Sequence, residues 1–327
     1  MTEAQTMDFG KGFSPVVSVI IPAYNAANYI SETLDSVLAQ TFRDWEIIVV
    51  NDGSPDTEEL ENVLGRYQEQ ISYHKQENRG PGSARNEGMR HAFGQYLAFL
   101  DSDDLWLPDF LNELVQFLEQ HASVGMVCAD CVYFGDPKWE GVSWRSLDPI
   151  EEPLTFEKLL PTLGGAFASF ALLRRETVAK VGLFDVDTRI LEDYIYWLRL
   201  LYSGGKLAYF GKVLGKRRVH LGSLTYDPDV VLTHAAQALQ KLSGYLAPNS
   251  AEAGLVQKEL AAVGSRFCLR EGRHRLQQSD YAGALEWFRN ANSAVPSKKL
   301  QLTALSLRWF PQWTRWAVMR WDQRSEK

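Results

Sequence analysis

Tyr96-Leu-Ala-Phe-Leu-Asp-Ser-Asp-Asp104 decides how the rest of the chain is read. An apolar, aromatic run of five residues ends in three aspartates within four positions. A buried strand that ends this way delivers negative charge to the edge of a sheet. In an open α/β sheet that carboxyl edge is where ligands bind. Carboxylates this close repel one another unless a cation or donor groups lie between them. Hard oxygen ligands suit Mg2+ or Mn2+, which keep several waters and bridge to phosphate oxygens. The stretch therefore reads as a seat for Mg2+ or Mn2+ and a diphosphate. Taken alone, it reads equally as a polar turn ahead of a helix starting near Pro108.

Upstream, Val16-Val-Ser-Val-Ile-Ile21 and Glu46-Ile-Ile-Val-Val50 are β-branched runs of the kind found in buried strands. Ile30, Leu34, Val37 and Leu38 recur at helical spacing, so residues 28–39 read as an amphipathic helix. Leu60, Val63, Leu64 and Tyr67 mark another helix, and residues 71–75 a third strand. Asn78-Arg-Gly-Pro-Gly-Ser83 is a turn-rich loop that opens a helix running through Met89 and Ala92. Strands alternating with helices at short spacing imply a mostly parallel sheet with crossover helices. Polar loops follow strands one, two and four on one edge.

The totals exclude several classes. A length of 327 residues allows one large domain or two ordinary ones. The net charge of -7 argues against a nucleic-acid partner. Three cysteines give no disulfide framework and suit a reducing, cytoplasmic setting. Cys128-Ala-Asp-Cys131 lies in an apolar strand-like run and has no second pair to complete a zinc site, so it reads as two structural thiols. Residues 1–14 are polar, lack the apolar core of a signal peptide and read as a flexible lead-in. No uncharged apolar run reaches the ~18 residues a spanning helix needs.

Four motifs stand in register: Pro22-Ala-Tyr-Asn25, Ile47-Ile-Val-Val-Asn-Asp-Gly-Ser54, Asn78-Arg-Gly-Pro-Gly-Ser-Ala-Arg-Asn86 and Phe99-Leu-Asp-Ser-Asp-Asp104. Their order and spacing resemble family 2 glycosyltransferases. Val181-Gly-Leu-Phe-Asp185, then Leu191-Glu-Asp-Tyr194 with Trp197 and Arg199, extends the resemblance to about residue 226. It implies the GT-A fold, a nucleotide-binding α/β sheet, over 15–227. The implied activity is a metal-dependent, inverting transfer of a sugar from a nucleotide-sugar, a UDP-sugar first, to a hydroxyl of a glycan or lipid-linked acceptor.

The resemblance also implies roles. Pro22, Ala23 and Tyr24, with Asn25 beside them, line the base pocket, and Asp52 takes the uracil side. Arg85, followed by Asn86, reaches the nucleotide. Asp101 supports the ribose and metal shell, Asp103 binds the metal, Ser102 lies between them, and Asp104 orients a ligand or donor sugar. His220 binds metal or phosphate, while Arg218 and Ser223 touch the diphosphate. Asp193 is the general base and Glu192 positions it. From the residues alone, Glu192 and Asp193 open a helix, where the positive end of the helix dipole favours carboxylates. Residues 164–168 lie where the family contacts acceptor. Trp139 and Trp144, in a variable loop, carry no substrate reading.

Other readings account for less. A catalytically idle scaffold that binds proteins or membranes leaves Asp101, Asp103 and Asp193 without a purpose. An aspartate-nucleophile phosphatase wants Thr or Val where Leu105 stands. A nucleotidyltransferase wants a Lys-bearing, Gly-rich phosphate loop near the N-terminus.

From Pro228 strand signals vanish, and 228–327 reads as an α-helical domain, with helices over 229–246 and 251–270. The run from Gly272 through Asp280-Tyr-Ala-Gly-Ala-Leu-Glu-Trp-Phe-Arg-Asn-Ala291 to Pro296 resembles one tetratricopeptide helix pair. From Ser297 to the end, seven Lys and Arg face two acidic residues, and Trp309, Trp313, Trp316 and Trp321 interleave with Arg308, Arg315, Arg320 and Arg324. Pro311 breaks or restarts the helix. Such an end suits an anionic membrane surface, as a peripheral protein at the inner face of the cell membrane. It suits equally a tryptophan core for the helical domain or a dimer contact.

Overall fold

The computed structural model describes residues 15–147, 151–163, 167–220, 222–223 and 228–325, with side chains from 230 to 318 in the last of these. The expected lead-in over 1–14 lies outside them. Contacts divide the chain into two compact units, Met1–Tyr226 and Asp227–Lys327.

The first unit is built on one eight-stranded sheet. Its strands are β1 Val17–Ala23, β2 Trp45–Asp52, β3 Ile71–Gln76, β4 Tyr96–Phe99, β5 Leu105–Trp106, β6 Met126–Phe134, β7 Ala171–Arg174 and β8 Leu207–Arg218. They lie in the order β3-β2-β1-β4-β7-β6-β8-β5. β1 pairs in parallel with β2 and β4, and β2 with β3. Val17, Val19, Ile20 and Ile21 of β1 and Ile47 to Val50 of β2 are buried. Such unbroken burial is what strands covered on both faces require.

Beyond β4 the sheet departs from the parallel expectation. β7 runs antiparallel to both β4 and β6, and β5 runs antiparallel to β8. β7 has four residues and β5 two, too few for a periodicity to show in the text. β6 and β8 pair in parallel, with register shifts around Asp130. Asp130 is buried there and accepts from the Cys131 N–H and from Ser143 Oγ, which holds the 143–145 turn against the strand. Cys128 and Cys131 are free, buried thiols of β6, matching the structural reading. Burial pushes Cys128 up to about 12 and Cys131 well above its ordinary range, so both stay protonated and inert.

The Pro81–His91 helix lies on the sheet through Gly88, where a Cβ would overlap Ile20. Seven of its residues from Gly82 to Met89 are buried, Arg85 and Asn86 among them, so its polar residues are placed inside the fold.

In the second unit the helices are Pro228–Ser243, Ala251–Gln277, Tyr281–Ala294, Lys298–Trp309 and Pro311–Ser325. The Ala251–Gln277 helix outruns the expected end at 270. Gly272, inside it, lets the Phe288 ring approach to where a Cβ would lie 2.8 Å from Cε1. Leu276, Ala284, Phe288 and Leu307 form a core cluster of this unit. The chain restarts at Pro311 after a break at Phe310. The tryptophans are not that core. Trp309, Trp313 and Trp316 are 66%, 71% and 53% exposed, because Leu307 rather than Trp309 turns inward. Trp321 lies outside the described side chains. No helix among the described residues is long and apolar enough to cross a membrane.

Candidate active site

The carboxyl ends of β1, β2 and β4 meet the loops that were expected to carry the chemistry. Ala23 is buried, Pro22 is half-buried, and Tyr24 is 53% exposed beyond them. Asn25 sits at φ 53°, and its N–H donates to Ser54 Oγ at 2.6 Å, tying the β1 loop to the β2 loop. Asp52 is buried at the end of β2. One of its oxygens accepts from the Arg79 N–H (2.9 Å) and Gln76 Nε2 (2.6 Å), and the other from the Gly80 N–H (2.8 Å). Its first task is thus to pin the 77–80 loop. A carboxylate has about four acceptor sites, so room for one donor from a base edge remains.

Gly53 makes this crossing possible. It holds φ +62°, and a Cβ there would lie 2.6 Å from the Asn78 nitrogen. Gly53→Ala is expected to cost more than ~1 kcal/mol, since strain and clash add. It should also weaken nucleotide binding by displacing the loop. Thermal denaturation and nucleotide titration check both parts. An unchanged melting temperature would count against this account of the loop.

Beyond β4, Thr33 Oγ1 donates to the Ser102 and Asp104 carbonyls at 2.9 and 3.0 Å, and Ser169 Oγ accepts from the Asp101 N–H at 3.1 Å. The aspartate loop is therefore held from both sides. Asp104 is buried, and its Oδ1 accepts from the Arg218 N–H at 2.9 Å. Burial pushes its carboxyl well above the usual range, Asp103 and Asp101 add to the rise, and Arg217 opposes it. Asp101 and Asp103 stay partly open, at 41% and 28% side-chain exposure.

His220 faces Asp103, with Nε2 2.9 Å from Oδ2. The Gly222 N–H donates to His220 Nδ1 at 3.1 Å, which places the ring proton on Nε2 and points it at Asp103. His220 thus lies directly against Asp103, the carboxylate expected to bind the metal. Arg218 spends two of its five guanidinium N–H donors within the protein, Nε on the Asp103 carbonyl and Nη2 on Glu32, and covers the Tyr29 and Phe134 rings. Ser223 Oγ is buried without a hydrogen-bond partner among the described residues. Arg217, given no role from the sequence, lies over the Phe167 ring at 4.0 Å beside Asp104. Its position near the end of β8, between Lys216 and Arg218, gave no signal to separate it from Arg218.

Arg85 ties the two carboxylate groups together. It is almost wholly buried, donates from Nη2 to Asp101 Oδ1 at 2.7 Å and from Nη1 to Glu192 Oε1, and lies by the Phe184 ring. Burial alone would lower its guanidinium, but Asp101, Glu192 and Asp193 outweigh it and hold it above the ordinary range. Arg85 therefore organises the site through carboxylates, where a direct reach to nucleotide was expected. Asn86 also points into the protein. Its side chain donates to the Phe184 carbonyl (3.0 Å) and accepts from the Phe184 N–H (2.8 Å), so its amide is spent on fastening the 184 loop.

Glu192 and Asp193 open the Glu192–Tyr202 helix behind Leu191, which sits at φ 70°. A left-handed leucine costs roughly 1–2 kcal/mol and is held only where the surroundings impose it. Burial lifts Glu192 to about 7 against the pull of Arg85, with Asp193 adding to the lift. Burial likewise raises Asp193, partly offset by Arg85 and by N–H donors. Asp193 Oδ1 accepts from the Tyr194 N–H and Oδ2 from the Ala168 N–H at 3.3 Å, which leaves lone pairs for a substrate hydroxyl. Glu192 holds Arg85 and makes no hydrogen bond to Asp193, so any positioning runs through the guanidinium. Of the expected acceptor stretch, 164–166 lies outside the described residues. Trp144 is buried and packs on Phe167 and Tyr209.

Among the described residues no group of three or more His, Cys, Asp or Glu side chains is placed to hold an ion alone. Asp101 and Asp103 still present open carboxylate oxygens on one rigid loop. That donor set fits Mg2+ or Mn2+, which take one or two carboxylates and complete their shell with water and phosphate.

A family-wide sequence profile, Glycosyl transferase family 2, matches residues 18–182. An uncharacterized glycosyltransferase of Rickettsia felis is 37% identical over 213 residues, 64% of this chain and 35% of that protein. The chain thus spans about a third of that relative's length. The putative teichuronic acid biosynthesis glycosyltransferase TuaG of Bacillus subtilis is 33% identical over 203 residues, 59% of this chain and 74% of TuaG. In fold, the chain is similar to S. aureus TarS 1-349 in complex with UDP-GlcNAc, with TM-score 0.61, 18% identity, and coverage of 89% of this chain and 87% of that one. It is also similar to the mannosyltransferase PcManGT from Pyrobaculum calidifontis in complex with GDP-Man and Mn2+, with TM-score 0.58, 22% identity, and coverage of 93% and 84%. Motifs, sheet and carboxylate loop agree with these likenesses: the fold is GT-A, with an α-helical region after it, and the chain belongs to glycosyl transferase family 2.

Proposed function

We propose that this chain is a metal-dependent, inverting glycosyltransferase that moves a sugar from a UDP-sugar to a hydroxyl of a cell-envelope polysaccharide or lipid-linked glycan. The observation that carries the reading is the Arg85 bridge. Through one buried cation it joins Asp101, which this reading puts on the donor side, to Glu192, the chain neighbour of Asp193. TuaG supports the envelope acceptor, and the UDP-GlcNAc bound by TarS supports the donor. Residues 15–227 carry the reaction, and 228–327 form a separate helical unit. Buried free thiols support a cytoplasmic placement.

Asp101 and Asp103 would hold Mg2+ or Mn2+, and His220 orients Asp103. The bound cation supplies positive charge to the departing diphosphate. Asp193 takes the proton of the acceptor hydroxyl. The acceptor oxygen bonds to the anomeric carbon as the carbon–oxygen bond to the diphosphate breaks on the opposite face. One displacement inverts that carbon. Pro22, Ala23, Tyr24, Asn25 and the free acceptor site of Asp52 receive the base, and Ser102 lies on the loop between the two open carboxylates.

Calorimetric titration of UDP, with GDP as control, with and without Mn2+, tests the donor site. The expected result is UDP binding that needs Mn2+ and is lost in Asp103→Ala. GDP bound as tightly as UDP would remove the uracil assignment. No binding of either nucleotide would remove the transferase reading.

A further inference from the structure

The helical unit carries a surface that the transferase reading leaves unused. On the Lys298–Trp309 helix, Lys298, Leu302, Leu305 and Trp309 fall within one narrow arc at 100° per residue, and all are exposed. Phe310 is 68% exposed at the break, and Trp313 and Trp316 follow on the next helix with ring centroids 5.6 Å apart. The corner is rigid. Ser306 Oγ and Thr314 Oγ1 lie 2.6 Å apart, Thr314 is buried, and Arg315 anchors the second helix to Ser279 and the Gln277 carbonyl. Leu307 takes the core side, so the aromatic side is held outward.

A cleft of about 270 Å³ borders this ridge, lined by Arg289, Asn292, Gln301, Ala304, Leu305 and Arg308. Neither Arg289 nor Arg308 makes an ion pair among the described residues, while Arg266, Arg270 and Arg275 of the same unit do. Two unpaired guanidinium groups with two side-chain amides match the oxygens of a phosphate group.

We propose that this surface docks the chain onto an anionic phospholipid bilayer. Trp309, Phe310, Trp313 and Trp316 enter the headgroup boundary, and the Arg289–Arg308 cleft receives a lipid phosphate. What meets the ridge decides the occupant. From Ser297 on the segment is locally basic and exposes Trp309, Phe310, Trp313 and Trp316, and an anionic bilayer matches both features at once, with negative headgroups over an apolar layer. The inference is independent of the donor, the metal and the catalytic base.

The test is flotation of the full chain with vesicles of phosphatidylcholine alone and of phosphatidylcholine mixed with phosphatidylglycerol. The full chain is expected to float only with the mixed vesicles and to be released by high salt. The triple variant Trp309→Ala, Trp313→Ala, Trp316→Ala is expected to lose binding at least tenfold. Arg289→Gln with Arg308→Gln should lose several-fold while keeping the blue shift of tryptophan emission on residual binding. All five side chains are exposed, so melting temperatures should match the parent and show that the variants fold. Absence of flotation by the parent overturns the proposal, as does equal flotation of the triple variant. Light scattering that shows a dimer dissolved by the triple variant, without flotation, assigns the surface to a second copy instead.

Discussion

Asp193→Asn is expected to leave UDP binding intact and to lower the turnover number about a thousandfold, within the range that a general base contributes. The amide keeps the shape and one acceptor oxygen at the helix start, but it cannot take a proton from the acceptor hydroxyl. Stability should hold or rise, because a carboxyl raised by burial costs free energy when it ionises. Single-turnover transfer, UDP titration and thermal denaturation separate the effects. Near-parental turnover would remove Asp193 from the role of base. The parent enzyme's pH profile adds a second check. The base works only when ionised, and its carboxyl lies above the ordinary aspartate value, so kcat/KM should fall as pH is lowered, at a pH above the usual aspartate range. With Glu192 at about 7 beside it, the acid limb reports the pair and not one residue.

Arg85→Ala is the second large effect. Removing one partner of a buried ion pair leaves an uncompensated charge and costs about 3–5 kcal/mol. Here two carboxylates lose their partner, but Asp101 is 41% exposed and can turn to water, so the lower figure is the better expectation. Glu192 has no such outlet and should stay protonated to a higher pH. Arg85→Lys returns the charge without the two-pronged fork and should recover part of the stability but little transfer. Urea denaturation of the three proteins measures this. A loss below ~1 kcal/mol in Arg85→Ala would show that the bridge does not organise the site.

Much of the first unit was legible without coordinates. β1, β2 and β4 announce themselves because buried parallel strands must be continuous apolar runs, and Val16 to Ile21 or Glu46 to Val50 leaves little other choice. Asp52, Asp101, Asp103 and Asp193 stood out in the sequence because a motif keeps local spacing that survives in the text. Short elements carry no such period. β7 and β5 were missed, and with them the antiparallel half of the sheet. Arg85 shows the deeper limit. The sequence marks it as a ligand-reaching residue, yet its partners are 16 and 107 positions away, and nothing local tells which of two carboxylates a guanidinium will meet. Asn86 spends its amide on Phe184 for the same reason, 98 positions on. The contacts of His220 and Arg218 with Asp103, Gly222 and Glu32 are of the same kind, set by residues far away in the chain or by backbone placement.

In the helical unit, helical spacing puts Leu305 and Trp309 on one side of their helix, but does not say which side faces the core. That choice went to Leu307, because one helix can pack only one arc against the Phe288 core. By itself, then, the sequence determined the parallel strands, the loops at their carboxyl edge and the residue types gathered there. Tertiary structure alone decided which carboxylates share Arg85, which polar groups are already spent, and which aromatic face was left to solvent. Those are outcomes of long-range contacts, and a chain read one position after another does not contain them.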